Sequence, residues 1–221
     1  MNKNLKKAIV IAGSRGVGKS ISNRLKKLNI KTLSFNSKNL DTSNIPQVEK
    51  FIKNNKYTDI LVLNTGGPPA KDFNKITKKE FKKYFNQLFL SFTLILQKVT
   101  VKKNGFVFLI SSYVIKEPDP KLTISNAYRT ALSSILKTYG TNNLINNITT
   151  INLALGPIYT DRLKKLNKGK TRNEIGVSLP LGRVGDPDEI ADIVESFIVK
   201  DIKYLNTQTL FIDGGISKNL F

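Results

Sequence analysis

Two kinds of hydrophobic pattern alternate along this chain: short continuous apolar runs, and longer segments in which apolar residues recur at helical spacing. Short apolar runs, typical of strands buried in a parallel sheet, lie at positions 7–12, 31–35, 59–64, 106–110, 148–155 and 209–212. Between them, apolar residues recur at helical spacing over positions 18–28, 44–54, 77–99, 126–139 and 186–199. Strands that alternate with helices of this length predict an α/β fold, a single Rossmann-type doubly wound parallel sheet with helices on both faces.

Local signals mark the starts of two of these helices. Thr77 and Glu80 form a capping box, and the segment 186–189, Asp-Pro-Asp-Glu, caps the last helix. The helix that starts after Thr77 carries one apolar stripe, which comprises Phe81, Phe85, Leu88, Phe92, Ile95 and Val99. No linker, repeat or low-complexity tract divides the sequence, so we expect one Rossmann-type domain over residues 1–221.

The composition excludes several kinds of active site. The 221 residues include no cysteine and no histidine, which excludes disulfides, thiol nucleophiles, the usual zinc sites and any Ser-His-Asp triad. Carboxylate sites for magnesium remain open.

The formal net charge is +20, a value compatible with a nucleic-acid or anionic membrane partner. The basic residues are scattered, however, and no aromatic residues are interleaved with them as in a base-stacking surface. We therefore interpret the charge as a Lys-rich solvated surface with no specific nucleic-acid partner. A nucleic-acid binder stays as an alternative, for which affinity would fall steeply with salt. The positive field favours anionic substrates and cofactors.

Nothing in the sequence predicts a membrane partner. The segment 1–7 is polar and basic and lacks the apolar core of a signal peptide. The longest apolar run, at 89–96, is too short to cross a bilayer and contains Ser91 and Thr93. We expect a soluble cytoplasmic protein.

A glycine-rich loop follows the first predicted strand and has two interpretations. The segment 13–20, Gly-Ser-Arg-Gly-Val-Gly-Lys-Ser, matches the phosphate-loop pattern of nucleotidases, with Lys19 on the phosphates and Ser20 on magnesium. It also suits a dinucleotide-binding turn at a helix N-terminus. A phosphate-loop enzyme needs an acidic residue at the end of a neighbouring strand, whereas these strands end in Asn64 and in Ser111 and Ser112. The dinucleotide interpretation is therefore favoured over a phosphate-loop nucleotidase.

Further landmarks follow in a fixed order along the chain. They are Asn-Thr-Gly-Gly at 64–67, Pro-Leu-Gly-Arg-Val-Gly-Asp-Pro-Asp-Glu-Ile-Ala at 180–191 and Phe-Ile-Asp-Gly-Gly at 211–215. In this order they resemble the short-chain dehydrogenase/reductase family, nearest to its 3-oxoacyl-acyl-carrier-protein reductase branch. The resemblance implies an oxidoreductase that transfers hydride between a nicotinamide and a carbonyl or alcohol of a small-molecule substrate. It also implies a homodimer or homotetramer formed through the two long helices.

The resemblance implies a set of cofactor-binding positions at the ends of several strands. They are Gly13, Ser14, Arg15, Gly16, Val17, Gly18, Asn36, Ser37, Lys38, Asp41, Asn64, Thr65, Gly66, Gly156, Pro157, Ile158 and Thr160. An NAD enzyme usually carries an acidic residue after the second strand, but this chain has Asn36, Ser37 and Lys38 there, and Arg15 in the glycine loop. These residues suit a 2′-phosphate, so we expect NADP(H) in preference to NAD(H). The segment 162–177, which closes over the substrate in the family, is rich in Lys, Arg and Asn and points to an anionic substrate.

The family's catalytic positions are altered. Ser112 matches the family's serine, but the position thirteen residues later, where the family has tyrosine, is Ser125, and the lysine four residues beyond is Arg129. Three interpretations follow. Arg129 polarises the substrate oxygen while water supplies the proton, Tyr128 serves as a displaced acid one helical turn from Ser125, or the protein is a sensor or partner subunit that binds dinucleotide without catalysis.

The family's fourth position, a helix asparagine, falls on Asn86 or Gln87, and the spacing does not choose between them.

Overall fold

Six parallel strands form one sheet at the centre of the molecule. The computed structural model describes residues 6–219, so part of the basic segment 1–7 lies outside the described residues. The strands are β1 (Lys7–Val10), β2 (Lys31–Ser34), β3 (Tyr57–Leu63), β4 (Thr100–Ser112), β5 (Thr149–Leu155) and β6 (Gln208–Ile212). Their order in the sheet is β2-β1-β3-β4-β5-β6, and every neighbouring pair is parallel. The predicted α/β fold is confirmed.

Helices cover both faces of the sheet. They are α1 (Gly16–Lys27), α2 (Ile45–Asn54), α3 (Lys78–Phe85), α4 (Ser91–Lys98), α5 (Thr123–Asn142), α6 (Asp161–Leu166), α7 (Arg172–Gly176) and α8 (Pro187–Val199). Consecutive strand residues point to opposite faces, so Ile60 and Val62 of β3 pack with α1 and α8. Leu61 and Leu63 pack with α2, α4 and α5 on the other face. No helix in this part of the chain, 6–219, is long and apolar enough to span a membrane.

The strand order places a crevice at the carboxyl ends of the neighbouring strands β1 and β3. Because β1 lies between β2 and β3, the connection from β1 to β2 and the connection from β3 to β4 run in opposite directions across the sheet. The loops after β1 and β3 therefore separate at the carboxyl ends of the strands. In open α/β sheets this switch point is where ligands bind.

The structure differs from the predicted elements in three places. Strand β4 begins at Thr100, because Thr100 and Val101 pair with the start of β3 across a register shift, and the intervening polar residues hide this pairing in the sequence. A π turn (Asn86–Leu90) separates α3 from α4. It shifts the helical phase, so that Phe85 lies off the buried stripe. The segment after β5 folds into α6 and α7, which the apolar pattern did not predict.

Candidate functional site

The glycine-rich loop joins the carboxyl end of β1 to the start of α1. The amide of Gly13 donates to the Phe35 carbonyl over 2.8 Å, which ties the loop to the end of β2. A Cβ atom on Gly18 would lie 2.3 Å from the Ala12 carbonyl oxygen and 2.7 Å from Nδ2 of Asn64. Only glycine therefore lets α1 approach the loop this closely.

The first turn of α1 presents free backbone donors. Within residues 6–219, the amides of Gly16, Val17 and Gly18 have no protein acceptor, and the Arg15 side chain does not cap the helix. Gly16 adopts a φ of +48°, which favours glycine, and a Cβ there would lie 2.9 Å from the Thr160 side chain. The loops after β1 and β5 therefore meet, and the amides form a cradle for an anion.

The loop after β3 borders this cradle. The Asn64 side chain donates to the Ala12 carbonyl over 3.3 Å, where a phosphate-loop enzyme would need an acidic residue. Nε2 of Gln87, in the π turn, donates to Oγ1 of Thr65 over 3.3 Å and to the Gly66 carbonyl over 2.7 Å. A Cβ on Gly66 would meet nothing within 4 Å, so the edge of the sheet is open there.

The loop after β5 is held from both sides. The Gly156 amide donates to the Ile212 carbonyl at the end of β6 over 3.0 Å. Gly185 donates to the Pro157 carbonyl over 3.0 Å and accepts from the Tyr159 amide over 2.8 Å. The segment 180–191 thus fixes the cofactor-loop positions 156–160, which gives this sequence landmark a structural role.

The residues predicted at the altered catalytic positions lie together at the end of β4 and on α5. Ser125 is 2% exposed and accepts a hydrogen bond from Nε of Arg129 over 3.1 Å. Nη1 of Arg129 donates to the Ile110 carbonyl over 3.1 Å. Ser112 ends the same strand and is half-buried, and the hydroxyl of Ser111 beside it is buried without a partner in the described residues. The arginine thus joins α5 to the strand end that carries Ser112.

A second arginine lies at the same end of the sheet. Nη1 of Arg162, on α6, donates to the Gly67 carbonyl over 2.6 Å, and its Nη2 donates to the Pro68 carbonyl over 3.1 Å. A Cβ on Gly67 would lie 2.6–3.1 Å from the guanidinium atoms, so the group lies flat on the glycine. Burial, together with the positive charge of Arg162, lowers the pKa of Arg129 to about 10. Arg129 therefore remains a cation at neutral pH.

Tyr128 is not brought to this cluster. Its hydroxyl donates to the Phe81 carbonyl on α3 over 3.3 Å, and its ring packs edge-on against Phe85. Burial raises the pKa of the Tyr128 phenol, which makes it a weaker acid. This placement does not favour its role as a displaced acid.

The two candidates for the helix asparagine position point to different loops. Asn86 donates to the Ser43 carbonyl over 3.4 Å, whereas Gln87 contacts the loop after β3. Gln87 is therefore the one nearer the cradle, and the assignment of the family position stays a prediction.

Some of the residues after β2 form local hydrogen bonds, and others are exposed to solvent. The Asn36 side chain accepts from the Lys38 amide over 2.8 Å, while Ser37 and Lys38 are exposed. Asp41 accepts from the amide and the hydroxyl of Ser43 over 2.9 and 2.8 Å, which is turn chemistry. Ser14 and Arg15 in the glycine loop are also exposed. The cationic side chains proposed for a 2′-phosphate are thus accessible.

The sequence did not single out Arg162 or Gln87 as contacts of the loop after β3. The only signal for Arg162 was the basic character of its segment, and Gln87 stood only as one of two candidates for another position. Their hydrogen-bond partners lie 95 and 21 residues away, a distance that spacing patterns do not reach.

Comparisons with known proteins decide the family. A family model described as enoyl-(acyl carrier protein) reductase matches residues 12–217. The chain belongs to the short-chain dehydrogenase/reductase family. The resemblance noted from the sequence landmarks is confirmed, and the phosphate-loop interpretation of the segment 13–20 is set aside. As a short-chain dehydrogenase/reductase, the protein is an oxidoreductase that acts on a small molecule.

Relatives and solved structures of this family match the chain along almost its whole length. The 3-oxoacyl-acyl-carrier-protein reductase of Rickettsia prowazekii is 26% identical over 233 residues, covering 96% of each chain. The NADPH-dependent reductase BacG of Bacillus subtilis is 24% identical over 257 residues, covering 96% of this chain and 98% of that protein.

Two crystal structures share the fold of this short-chain dehydrogenase/reductase. YwfH, an NADPH-dependent reductase involved in bacilysin biosynthesis, has a TM-score of 0.86 at 19% identity, covering 98% of this chain and 100% of that chain. A blue fluorescent protein from a metagenomic library, in complex with NADPH, has a TM-score of 0.86 at 22% identity with the same coverage.

Proposed function

We propose that this short-chain dehydrogenase/reductase uses NADP(H) to interconvert a carbonyl and an alcohol, with Arg129 and Ser125 at the reacting oxygen. The observation that carries the proposal is the buried hydrogen bond from Arg129 to Ser125 beside the end of β4. A buried cation with nothing but uncharged protein partners is costly unless a ligand uses it. Perturbed charged groups of this kind concentrate at functional sites.

The residues around the crevice fit a dinucleotide. The free amides of Gly16, Val17 and Gly18 would hold a pyrophosphate, and exposed Arg15 and Lys38 would hold a 2′-phosphate. Bound NADPH would supply a hydride to the carbonyl carbon of the substrate. Support for NADP(H) over NAD(H) comes from the lack of an acidic residue at 36–38 and from relatives named as NADPH-dependent.

Residues of this chain would handle the charge and the proton at the substrate oxygen. Nε of Arg129 donates to Ser125, so the serine proton is directed away from the arginine and can bond the substrate oxygen. The guanidinium stabilises negative charge on that oxygen but keeps its own proton. Water then supplies the proton that completes the alcohol. General acid catalysis contributes about 10²–10⁴ in rate, so turnover should be slow for the family.

Cofactor titration followed by steady-state assay tests this proposal. NADPH should bind saturably, and Gly16→Asp should abolish binding because it adds a carboxylate to the anion cradle. Lys38→Ala should weaken NADPH binding by about tenfold and leave NADH binding unchanged. The absence of NADPH binding to the wild type at millimolar cofactor would overturn the proposal.

A non-catalytic dinucleotide-binding protein is the second candidate. It is favoured by the replacement of the family's tyrosine and lysine by Ser125 and Arg129. NADPH oxidation with any ketone or oxo acid, lost in Arg129→Ala, would eliminate this candidate. NADPH binding without turnover over a broad panel would support it.

Two expectations from the sequence join the proposal. Assembly as a homodimer or homotetramer through the long helices is testable by light scattering of the purified protein. A cytoplasmic location is testable by fractionation of cells that express the tagged chain.

A further inference from the structure

Two arginines lie at the carboxyl end of the sheet, near the predicted catalytic positions. Arg129 is buried and Arg162 is partly buried. The loop that accepts hydrogen bonds from Arg162 lies beside the start of α5, since Pro68 and Ile124 line the same small pocket. At this separation the charge of Arg162 acts on Arg129. Neither forms an ion pair within residues 6–219. By contrast, the partly buried Arg24 forms ion pairs with Asp192 and Glu195.

Protein carbonyls compensate only part of this charge. Each guanidinium has five N–H donors. Arg129 uses donors on the Ser125 hydroxyl and the Ile110 carbonyl, and Arg162 uses donors on the Gly67 and Pro68 carbonyls. The remaining donors have no protein acceptor among the described residues. Two neighbouring like charges repel each other, and an oxyanion bound between them would relieve that repulsion.

The hydrogen bonds of Arg129 and Arg162 indicate where a bound anion would lie relative to the substrate carbonyl. Arg129 is hydrogen-bonded to Ser125, which is proposed to bond the substrate oxygen. Arg162 reaches over from α6 to the loop after β3 and is held flat against Gly67. An anion bound by both would therefore lie beside the substrate carbonyl and not at the glycine loop.

We propose that Arg129 and Arg162 bind the carboxylate of the substrate, and that the substrate is an oxo acid with its carboxylate within a few bonds of the reacting carbonyl. The inference rests on the proposed function, since it names the substrate class of that site. A guanidinium fork matches a carboxylate in two-point geometry, which lysine does not reproduce. Arg129 is a catalytic residue in this scheme, and Arg162 is a substrate-binding residue.

Calorimetric titration of the NADP⁺-loaded protein tests the inference without turnover. The probes are pyruvate, 2-oxohexanoate and 4-oxopentanoate, each paired with its neutral methyl ester. At least one acid should bind the wild type about 10- to 100-fold more tightly than its ester. Arg162→Leu should remove this preference, and Arg162→Lys should keep part of it because the charge remains. Should Arg162→Leu fail to fold, the acid–ester comparison in the wild type and in Arg162→Lys still decides.

A matched control and a cofactor measurement separate the other outcomes. Arg172→Leu removes an exposed arginine of the same segment, which pairs with Asp186, and should leave the preference unchanged. An acid preference that survives in Arg162→Leu, or equal binding of acids and esters, would overturn the inference. It would also be overturned if no acid binds in the millimolar range, or if Arg162→Leu weakens NADP⁺ binding alone, because the anion is then a cofactor phosphate. Failure of the wild type to bind NADP⁺ at all would instead overturn the proposed function.

Discussion

Nε of Arg129 donates a hydrogen bond to Oγ of Ser125 across 3.1 Å, one helical turn apart on α5. By their spacing from Ser112, these two positions are predicted to match the tyrosine and lysine of the family. The serine is too short to reach as far as a tyrosine, but the arginine fixes the direction of its hydroxyl. The replacement therefore forms an ordered pair and not a gap in the site.

Arg129→Met should separate activity from stability. We expect kcat/KM to fall by about 100-fold or more, because the variant removes the cation at the substrate oxygen. The free energy of unfolding should change by less than about 1.5 kcal/mol, because relief of the buried charge offsets the hydrogen bonds lost at Ser125 and Ile110. Steady-state assay and urea unfolding measure the two quantities. A large loss of stability with unchanged kcat/KM would show that the arginine is structural only.

Tyr128→Phe and Ser125→Ala distinguish two assignments of the catalytic hydroxyl. Tyr128 bonds a carbonyl of α3, so its phenylalanine variant should lose about 0.5–1.5 kcal/mol of stability and keep its kcat. Ser125→Ala should lower kcat by at least about tenfold. Single-turnover rates with saturating NADPH make the comparison. If Tyr128→Phe lowered kcat and Ser125→Ala did not, Tyr128 would be the catalytic acid.

Gly18→Ala tests the packing of the glycine loop against β3. The added methyl would lie 2.3 Å from the Ala12 carbonyl oxygen, so we expect a loss of about 1–3 kcal/mol together with weaker NADPH binding. Gly66→Ala is the matched control for stability, since its methyl meets nothing within 4 Å. Thermal melting of the two variants measures the difference. Equal melting temperatures would contradict the close approach of α1 to the loop.

Glu189 gives the fold a defined pH dependence. Hydrogen bonds from Arg183 and from the Asp186 amide lower the pKa of Glu189 from 4.5 to about 2. Because the pKa is lowered in the folded state, the stabilisation is complete above the unfolded value and is lost as the pH falls from 4.5 towards 2. Glutamine can replace Glu189 in the capping box, so Glu189→Gln removes mainly the charge.

The expected cost of Glu189→Gln at pH 7 is about 1 kcal/mol or less, since the pair is exposed to solvent. Unfolding by urea at several pH values should show that this difference disappears near pH 2. Glu49→Gln, an exposed change on α2 without an ion pair in the described residues, should show no such trend. A difference that stays constant with pH would refute the ion pair with Arg183.

Local sequence patterns were sufficient to predict the elements whose formation depends on neighbouring residues. Apolar periodicity located all six strands, and the capping residues Thr77 and Asp186 marked helix starts that the structure contains. The order of glycine-rich landmarks identified the family. The match of the segment 13–20 to the phosphate-loop pattern shows that a single motif does not identify a family. Both kinds of loop bind phosphate at a helix N-terminus, so they share the same glycine-rich sequence pattern.

Contacts between side chains distant in sequence became known from the folded structure. Arg162 contacts a loop 95 residues earlier, Tyr128 turns towards α3, and β4 extends back to Thr100 through pairing with β3. Such contacts depend on how strands and helices are arranged in space, and a local pattern of hydrophobic residues carries no information about them. The placement of Arg129 and Arg162 at the same end of the sheet is therefore a property of the folded chain.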